Sequence, residues 1–224
     1  MPPQKNKSRV LVTVGPTREM LDPVRFIANL STGEMGYAIA GEFKRKGFNV
    51  TLISGPTALK PPKGVRFIPI ITVDELRRAI AKQFFRNDFL IMAAAVGDFI
   101  PVSLAFKKIP RQRTWKVTFQ QSPDLVRQVA KRKGERIVVG FSLETDNWIK
   151  RSKAKREAKN LDGIVANYYS RRHNPFGPVR AHVALIDAQK TRILRFRSKP
   201  ALARHLVNWI IALSRTRKYN RGPF

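Results

Sequence analysis

Apolar and polar positions alternate along this chain in a way that predicts an α/β fold. Val10–Val14 is a continuous apolar run, which is typical of a buried strand. The segment 33–46 then has the period of a helix and ends at Gly47. Its apolar residues recur every four positions on one face: Met35, Ile39 and Phe43.

Strands and helices continue to alternate as far as residue 166. Short apolar runs predict further strands over Val50–Ser54, Phe89–Ala95, Ile137–Gly140 and Gly163–Ala166. Intervening helices are predicted from a capping box at Thr72–Glu75, from a cap at Ser122 followed by Pro123, and from a basic segment at Ile149–Asn160. This order predicts a doubly wound, mostly parallel sheet of the Rossmann-like type.

Two later segments alternate with the period of strands. Residues 181–186 and 192–197 flank a short turn, so they predict an added antiparallel β-hairpin. Residues 115–119 (WKVTF) predict a half-exposed strand, and 200–214 a last helix. With no internal repeat and no long linker, we expect a single domain over 10–214 between flexible ends at 1–9 and 215–224.

The junction between the first strand and helix carries the most distinctive chemistry. Gly15 follows the strand, and a Ser-Thr-Gly-x-x-Gly turn at Ser31–Gly36 leads into the helix. Such a turn leaves backbone N–H groups free at the positive end of a helix, where phosphate or carboxylate binds. Alternatively, these glycines only permit tight turns. The dinucleotide-binding G-x-G-x-x-G pattern is absent, since Pro16 follows Gly15.

Composition excludes several classes of protein. There are no cysteines, so disulfides and cysteine-ligated metals are excluded, and the three scattered histidines favour no metal site. No apolar run is long enough to span a membrane, and the first ten residues lack the apolar core of a signal peptide. We therefore expect a cytoplasmic protein without a membrane partner.

The net charge of the chain is +29, from 44 Lys and Arg against 15 Asp and Glu. Residues 1–100 contribute 15 basic and 8 acidic side chains, and residues 101–224 contribute 29 and 7. Such a balance attracts polyanions, so non-specific binding of nucleic acid is one interpretation. The other is a general basic bias without a specific role, because no nucleic-acid-binding motif is present.

Nine sequence blocks, in order, resemble those of the phosphopantothenate–cysteine ligase family. They span Val10 to about Asp187. The blocks are GPTRE, DPVRFIAN and STGEMGYAIA within 15–40, SGPT at 54–57, AAAVGDF at 93–99, KKI at 107–109, SPDL at 122–125, VVGFSLET at 138–145 and KNLDGIVAN at 159–167.

The resemblance implies a ligase of coenzyme A biosynthesis. The carboxylate of phosphopantothenate would attack a nucleotide triphosphate, CTP rather than ATP, and cysteine would then attack the acyl-nucleotide. Mg²⁺ would accompany the nucleotide, flavin would not be used, and the protein would pair as a homodimer. A flavin-dependent decarboxylase would be a separate partner. The competing hypothesis is a nucleic-acid- or anion-binding protein built on a repurposed ligase fold.

The resemblance also implies roles for individual residues. Asn29 would hold the acyl-nucleotide, and Arg25 and Lys108 would assist turnover. The nucleotide would be bound by Gly15, Asp98, Pro123, Asp124, Phe141, Lys155 and Lys159. Ser31, Gly33, Gly36, Ala94 and Ala95 would line the substrate site, and no metal ligands are assigned.

A few positions depart from the family pattern. Glu34 stands where relatives commonly have lysine, Pro110 and Arg111 replace two lysines of a K-x-K-K loop, and Gly97 replaces an alanine. The loop over 100–114 is rich in cations and contains two prolines. We expect it to be mobile in the free protein and to close over bound nucleotide.

Overall fold

The computed structural model describes residues 8–170, 174, 181–196 and 198–219. Twelve strands are defined there: β1 Arg9–Val14, β2 Arg18–Met20, β3 Phe26–Ala28, β4 Asn49–Ser54, β5 Arg66–Pro69, β6 Phe89–Met92, β7 Phe99–Pro101, β8 Phe119–Gln121, β9 Ile137–Glu144, β10 Gly163–Tyr168, β11 Ala181–Asp187 and β12 Thr191–Phe196. The helices are α1 Glu34–Arg45, α2 Val73–Gln83, α3 Leu125–Ala130, α4 Trp148–Ala158 and α5 Lys199–Tyr219, with one 3₁₀ turn at Phe84–Arg86.

Eight of these strands form one central sheet in the order β12-β11-β10-β9-β6-β1-β4-β5. Six adjacent strands of this sheet pair in parallel, in the order β10, β9, β6, β1, β4 and β5. β11 and β12 add an antiparallel hairpin at one edge. The predicted doubly wound sheet with an added hairpin is therefore confirmed.

The sheet is buried on both faces, and successive residues of β1 point into opposite layers. Val10 and Val12 pack in the layer of α1 and α5, whereas Leu11 packs in the layer of α2 and α3. All three side chains are fully buried. Burial on both faces explains why the strand is a continuous apolar run rather than an alternating one.

The order of the strands creates a crevice between β1 and β6. The chain leaves β1 towards β4 and β5 on one side and returns to β6 on the other. Helices diverge from the carboxyl ends of the strands at such a reversal, which is where open α/β sheets bind ligands. The glycine-containing segment after β1 and the Ala-Ala-Ala segment after β6 both lie at this edge.

Two short antiparallel hairpins were not predicted: β2 with β3, and β7 with β8. The predicted strand at 115–119 was wrong in its bounds, because only Phe119 of that segment belongs to a strand. The strand is β8, Phe119–Gln121, and it pairs with Phe99–Pro101 of β7. Trp115 instead lies beneath the Arg25 guanidinium, 5.4 Å from the ring centre. Residues 102–118 connect β7 to β8 as a loop, which we call the basic loop.

Helix boundaries differ from the prediction at two places. Ser122 does not cap α3 and Pro123 does not start it, because the helix begins only at Leu125; the Ser122 hydroxyl instead donates to the Gly97 carbonyl (2.6 Å). Asp124 caps the helix instead, and its carboxylate accepts from the Arg127 N–H. The predicted cap at Thr72 is confirmed, since its hydroxyl accepts from the Glu75 N–H. The last helix continues five residues past Ser214.

In the part of the chain that the structure describes, no helix combines the length and apolar character required to traverse a bilayer. Cytoplasmic localisation stays a prediction.

Candidate active site

A cavity of about 790 Å³ opens at the carboxyl edge of β6 and β9, beside the start of α1. We call it the edge cavity. Its walls come from the segments that follow β3 and β6, from the starts of α1, α3 and α5, and from α4. It lies at the reversal of strand order, where the topology predicts a ligand site.

Two glycines are required at the start of α1, one for its backbone conformation and one for close packing. Gly33 is the N-cap of α1 at φ 76°, in the left-handed region that glycine adopts without strain. Gly36 packs directly on β1, since a Cβ there would lie 2.1 Å from Val14 Cγ1. Ser31, Gly33 and Gly36 all line the edge cavity. Gly33 provides no side-chain cap. The Glu34 N–H contacts the Thr32 hydroxyl at 3.5 Å, so the next N–H groups of the first turn are the backbone donors that the helix start offers to the cavity.

Gly15 lies outside the cavity lining, directly behind this turn. A Cβ on Gly33 would come within 3.6 Å of the Gly15 Cα. Gly15 itself has φ 72° and its Cβ position is crowded by the Gly55 carbonyl. In this structure Gly15 therefore supports the turn, and a contact with nucleotide stays a prediction.

Asn29 is fixed beside the end of β6. Its Nδ2 donates to the Val96 carbonyl at 2.9 Å, although the residue is exposed. Ala94 and Ala95 lie in the same segment and also line the cavity. A neutral amide next to small side chains leaves space for a ligand and a donor for its oxygen atoms.

Each lysine of the edge cavity is paired with a carboxylate. Lys155 Nζ lies 2.5 Å from Glu144 Oε1, and Lys159 Nζ lies 3.1 Å from Asp124 Oδ2. Lys199, the first residue of α5, forms an ion pair with Glu34 in the first turn of α1. The lining contains three acidic and three basic side chains, so their charges cancel: Glu34, Asp98, Asp124, Lys155, Lys159 and Lys199. The surplus of positive charge therefore lies outside the cavity.

The wall formed by α3 and β9 contains the residues expected around a nucleotide. Pro123 and Phe141 line it, together with Asp124, whose carboxylate serves both as the α3 cap and as the partner of Lys159. Asp98 lies just beyond β6 and is exposed. Among the described residues, Asp98 is the carboxylate of the lining that has no ion-pair partner.

Arg25 and Lys108 lie outside the cavity lining. The Arg25 guanidinium contacts Asp22 Oδ2 (2.9 Å) and the Ile109 carbonyl (3.2 Å). Asp22 also accepts from the Ile109 N–H at 3.2 Å, so both groups attach the basic loop to the turn after β2. Lys108 is exposed on that loop. A contact of either cation with substrate stays a prediction.

Asp22 is buried and ionised. Burial alone raises the pKa of its carboxyl, but hydrogen bonds from the N–H groups of Val24, Ile109 and Arg25, together with the Arg25 charge, bring the pKa below its ordinary value. The carboxylate therefore remains a strong acceptor at neutral pH. This stabilises the attachment of the basic loop.

The family model of the DNA/pantothenate metabolism flavoprotein C-terminal domain matches residues 5–213. The chain belongs to this family. Across 210 residues it is 38% identical to the coenzyme A biosynthesis bifunctional protein CoaBC of Bacillus subtilis (strain 168), covering 92% of this chain and 52% of that protein. The chain spans about half the length of the curated relatives that it matches.

Two solved structures share the fold of this chain. The C-terminal domain of a CoaBC protein superposes with a TM-score of 0.78 at 29% identity, covering 91% of this chain and 93% of that one. A Cab2 variant in complex with phosphopantothenate-cysteine superposes at 0.80 with 19% identity, over 96% and 89% of the two chains. At that identity the second likeness concerns the fold alone.

Within this family domain, the edge cavity brings together twelve of the fifteen residues expected at the site: Asn29, Ser31, Gly33, Gly36, Ala94, Ala95, Asp98, Pro123, Asp124, Phe141, Lys155 and Lys159. Sequence reasoning missed the paired partners Glu144 and Lys199. Glu144 is buried and lies at the end of a mostly apolar strand. An acid in such a sequence run is unusual, so its position could have indicated a charged partner. Lys199 had none, because its partner lies 165 residues away.

Proposed function

We propose that this chain is a phosphopantothenate–cysteine ligase that uses CTP to activate its acid substrate. The observation that carries the proposal is the edge cavity itself. It joins a helix start with backbone donors, a fixed amide at Asn29 and positioned lysines at the ligand-binding edge of the sheet. Membership of the family, and the CoaBC name of a relative at 38% identity, support the same activity.

The first half-reaction joins two anions. The phosphopantothenate carboxylate attacks the α-phosphorus of CTP, an acyl–phosphate bond forms, and pyrophosphate leaves. Lys155 and Lys159 offset the triphosphate charge, and their carboxylate partners hold both ammonium groups in place beforehand. Since lysine donors on a rigid helix need little rearrangement, the site is preorganised for phosphate.

The second half-reaction releases the nucleotide. The cysteine amine attacks the acyl carbon, CMP departs with the former carboxylate oxygen, and the amine loses a proton. Asn29 donates its amide N–H to an oxygen of the acyl-nucleotide while cysteine attacks. Its fixed position beside Ala94 and Ala95 supports this role.

Mg²⁺ is expected to enter with the nucleotide. A nucleotide-bound Mg²⁺ retains several waters and takes only one or two protein carboxylates, so the exposed carboxylate of Asp98 fits this requirement. When bound, the ion would offset negative charge on the phosphates. Within the described residues there is no group of three or more His, Asp or Glu side chains that could hold a metal ion without a ligand.

A homodimer is part of the proposal. Large apolar side chains are exposed on and beside the two short hairpins: Val24, Phe26, Ile27, Leu30, Phe99, Val102, Leu104, Phe106 and Phe119. Exposed apolar side chains in such number indicate an association surface. Sedimentation of the purified chain at micromolar concentration tests this proposal.

A direct assay tests the activity. Product formation from phosphopantothenate and cysteine is followed by mass spectrometry with CTP or ATP, and pyrophosphate is measured in parallel. We expect phosphopantothenoylcysteine with both, at a higher kcat/KM with CTP. A higher kcat/KM with ATP would contradict the nucleotide preference, and no product with either nucleotide would contradict the ligase assignment.

A second function, polyanion binding, is favoured by a specific cluster of cations. Arg9, Lys44, Arg66 and Arg86 line a cavity of about 340 Å³ at the amino ends of β1, β4 and β5, on the edge opposite the edge cavity. Asp88 is the nearby acid, and it accepts the Arg9 backbone N–H. Elution from heparin at increasing salt, for wild type and for the Arg66→Gln/Arg86→Gln variant, tests whether this cluster binds polyanions.

A further inference from the structure

The ion pair of Glu34 with Lys199 brings an additional cation to the edge cavity. Lys199 begins α5, and Glu34 lies in the first turn of α1, so the pair joins two helices that pack on the same face of the sheet. The Lys199 side chain is only 19% exposed, which is low for a lysine. Both residues line the cavity.

The position of Glu34 requires an explanation. An acid in the first turn of a helix is favoured by the helix dipole. Here, however, the same turn faces a cavity that is proposed to receive phosphorylated substrates, so an unpaired carboxylate would repel them. The Lys199 ammonium cancels that charge and stands beside the backbone donors of the turn.

The other two cavity lysines share this arrangement. Lys155 and Lys159 are each held by one carboxylate, and both are proposed to bind phosphate. A lysine that is paired in the free protein can exchange its carboxylate for a phosphate without losing its position. The arrangement thus provides a cation that is neutralised until an anion arrives.

We propose that Lys199 binds a phosphate group of a substrate, and that Glu34 positions Lys199 and neutralises it in the free protein. This proposal rests on the ligase function given above. The chemistry fits a phosphate of the nucleotide and the phosphate of phosphopantothenate equally, and the experiment distinguishes these two sources.

The test compares Lys199→Gln, Glu34→Gln and the double variant with wild type. Lys153→Gln, a charge removal at an exposed position of α4 outside the cavity lining, is the matched control. For each protein, KM is measured for CTP, phosphopantothenate and cysteine, and the thermal midpoint is recorded. Equilibrium binding of CTP and of phosphopantothenate is titrated in parallel, so that the result does not depend on turnover.

Lys199→Gln leaves Glu34 unpaired beside the phosphate, so we expect KM and Kd for one phosphorylated substrate to rise about tenfold or more. The substrate affected identifies the source of the phosphate. Glu34→Gln removes the neutralising charge but keeps a side-chain oxygen that can accept from the Lys199 ammonium, so we expect unchanged or tighter binding. The double variant should lie between wild type and Lys199→Gln, while KM for cysteine stays constant throughout.

A merely structural ion pair gives a different result. It would lower the thermal midpoint to a similar extent in both single variants and affect their KM values equally. Equal changes in Lys199→Gln and Glu34→Gln, or KM and Kd values in Lys199→Gln that match those of Lys153→Gln, would overturn the proposal. A wild type that binds CTP but makes no product would instead contradict the ligase function, and the titrations would still decide the role of Lys199.

Discussion

The walls of the edge cavity and the basic loop both carry cations, but they hold them differently. Lys155 and Lys199 lie on helices, Lys159 is the C-cap of α4, and each of the three contacts a carboxylate. The loop side chains Lys107, Lys108, Arg111 and Arg113 are exposed, and among the described residues none has a carboxylate within ion-pair distance. The lysines of the walls are therefore held in place before a ligand binds, whereas the cations of the loop are available to contact a ligand.

This difference indicates a division of tasks. We propose that the fixed cations set the position of the phosphates at a small cost in entropy. We propose that the loop cations close over bound nucleotide and exclude water, which protects an acyl-nucleotide from hydrolysis. Asp22 and Arg25 attach the basic loop to the turn after β2, because both contact Ile109 of the loop. Variants of the walls should therefore alter chemistry and nucleotide binding, and variants of this connection should alter loop motion.

The largest expected effect is on the fixed amide of the wall. Asn29→Asp loses the donor and places a carboxylate near the Val96 carbonyl, so the acyl-nucleotide is poorly held during attack by cysteine. We expect pyrophosphate release to continue while phosphopantothenoylcysteine formation falls by about 10²-fold. Rapid-quench measurement of both products separates the half-reactions. The same change at exposed Asn49, on the opposite edge of the sheet, is the control.

If both products fell equally in Asn29→Asp, the amide would serve the first half-reaction as well. Unchanged turnover would remove Asn29 from the site.

The next effect concerns the paired lysines of α4. Lys155→Gln or Lys159→Gln removes a positive charge that is proposed to bind the triphosphate. We therefore expect KM for CTP to rise about tenfold, with KM for cysteine unchanged. Lys155→Gln also leaves the buried Glu144 with only the longer contact to Arg151 (3.7 Å) and should cost about 1–3 kcal/mol of the free energy of unfolding. Initial rates and urea unfolding check both parts, with Lys153→Gln as control.

Equal increases in KM for CTP and cysteine would assign these lysines to a solvated basic face rather than to the triphosphate.

A smaller effect is expected at the connection with the loop. Asp22→Asn removes the charge that pairs with Arg25 and weakens the acceptor of the Ile109 N–H. We expect trypsin to cut at Lys107 and Lys108 roughly fivefold faster than in wild type, since proteolysis follows the population of the open loop. CTP with Mg²⁺ should slow the cut in wild type. Asp146→Asn, at an exposed ion pair far along the chain, is the control.

First cleavage outside the basic loop, or cleavage that ignores nucleotide, would mean that the loop does not close over the site.

The smallest effect is a pH dependence of the same connection. The pKa of Asp22 is below its ordinary value in the folded protein, because hydrogen bonds and the Arg25 charge outweigh the effect of burial. A lowered pKa gives stabilisation that is complete above the ordinary value and is lost as pH falls through the folded value. Exchange protection of the Ile109 amide, corrected for intrinsic rates, should thus be equal at pH 7 and pH 5 and fall only in stronger acid.

In Asp22→Asn this loss of protection in acid should be absent. Loss already between pH 7 and pH 5 in wild type would contradict the lowered pKa.

The sequence predicted most of the fold because strong local signals agree with it. The apolar run at Val10–Val14, the helix with Ile39 and Phe43 inward, and the Thr72 cap all need only short-range information. It failed where a distant partner decides the structure. Ser122 looks like a cap, yet its hydroxyl bonds to Gly97, and the β7–β8 hairpin depends on pairing between residues 18 to 22 positions apart.

The same limit applies to the site. Motif blocks located the residues that line the edge cavity, because those residues lie at strand ends and helix starts. They gave no information about the partner of each charge. The sequence does not show that Lys155 lies beside Glu144 of β9. It also does not show that the Arg25 guanidinium contacts Asp22 and the Ile109 carbonyl.

We propose above that the edge cavity activates a carboxylate as an acyl-nucleotide. The most direct measurement incubates the protein with phosphopantothenate, CTP and Mg²⁺ without cysteine, and examines the quenched mixture by mass spectrometry. We predict phosphopantothenoyl-cytidylate and pyrophosphate in equal amounts, and complete conversion of the intermediate when cysteine is added. Release of CDP and phosphate instead, or no CTP consumption until a nucleic acid is supplied, would contradict the account.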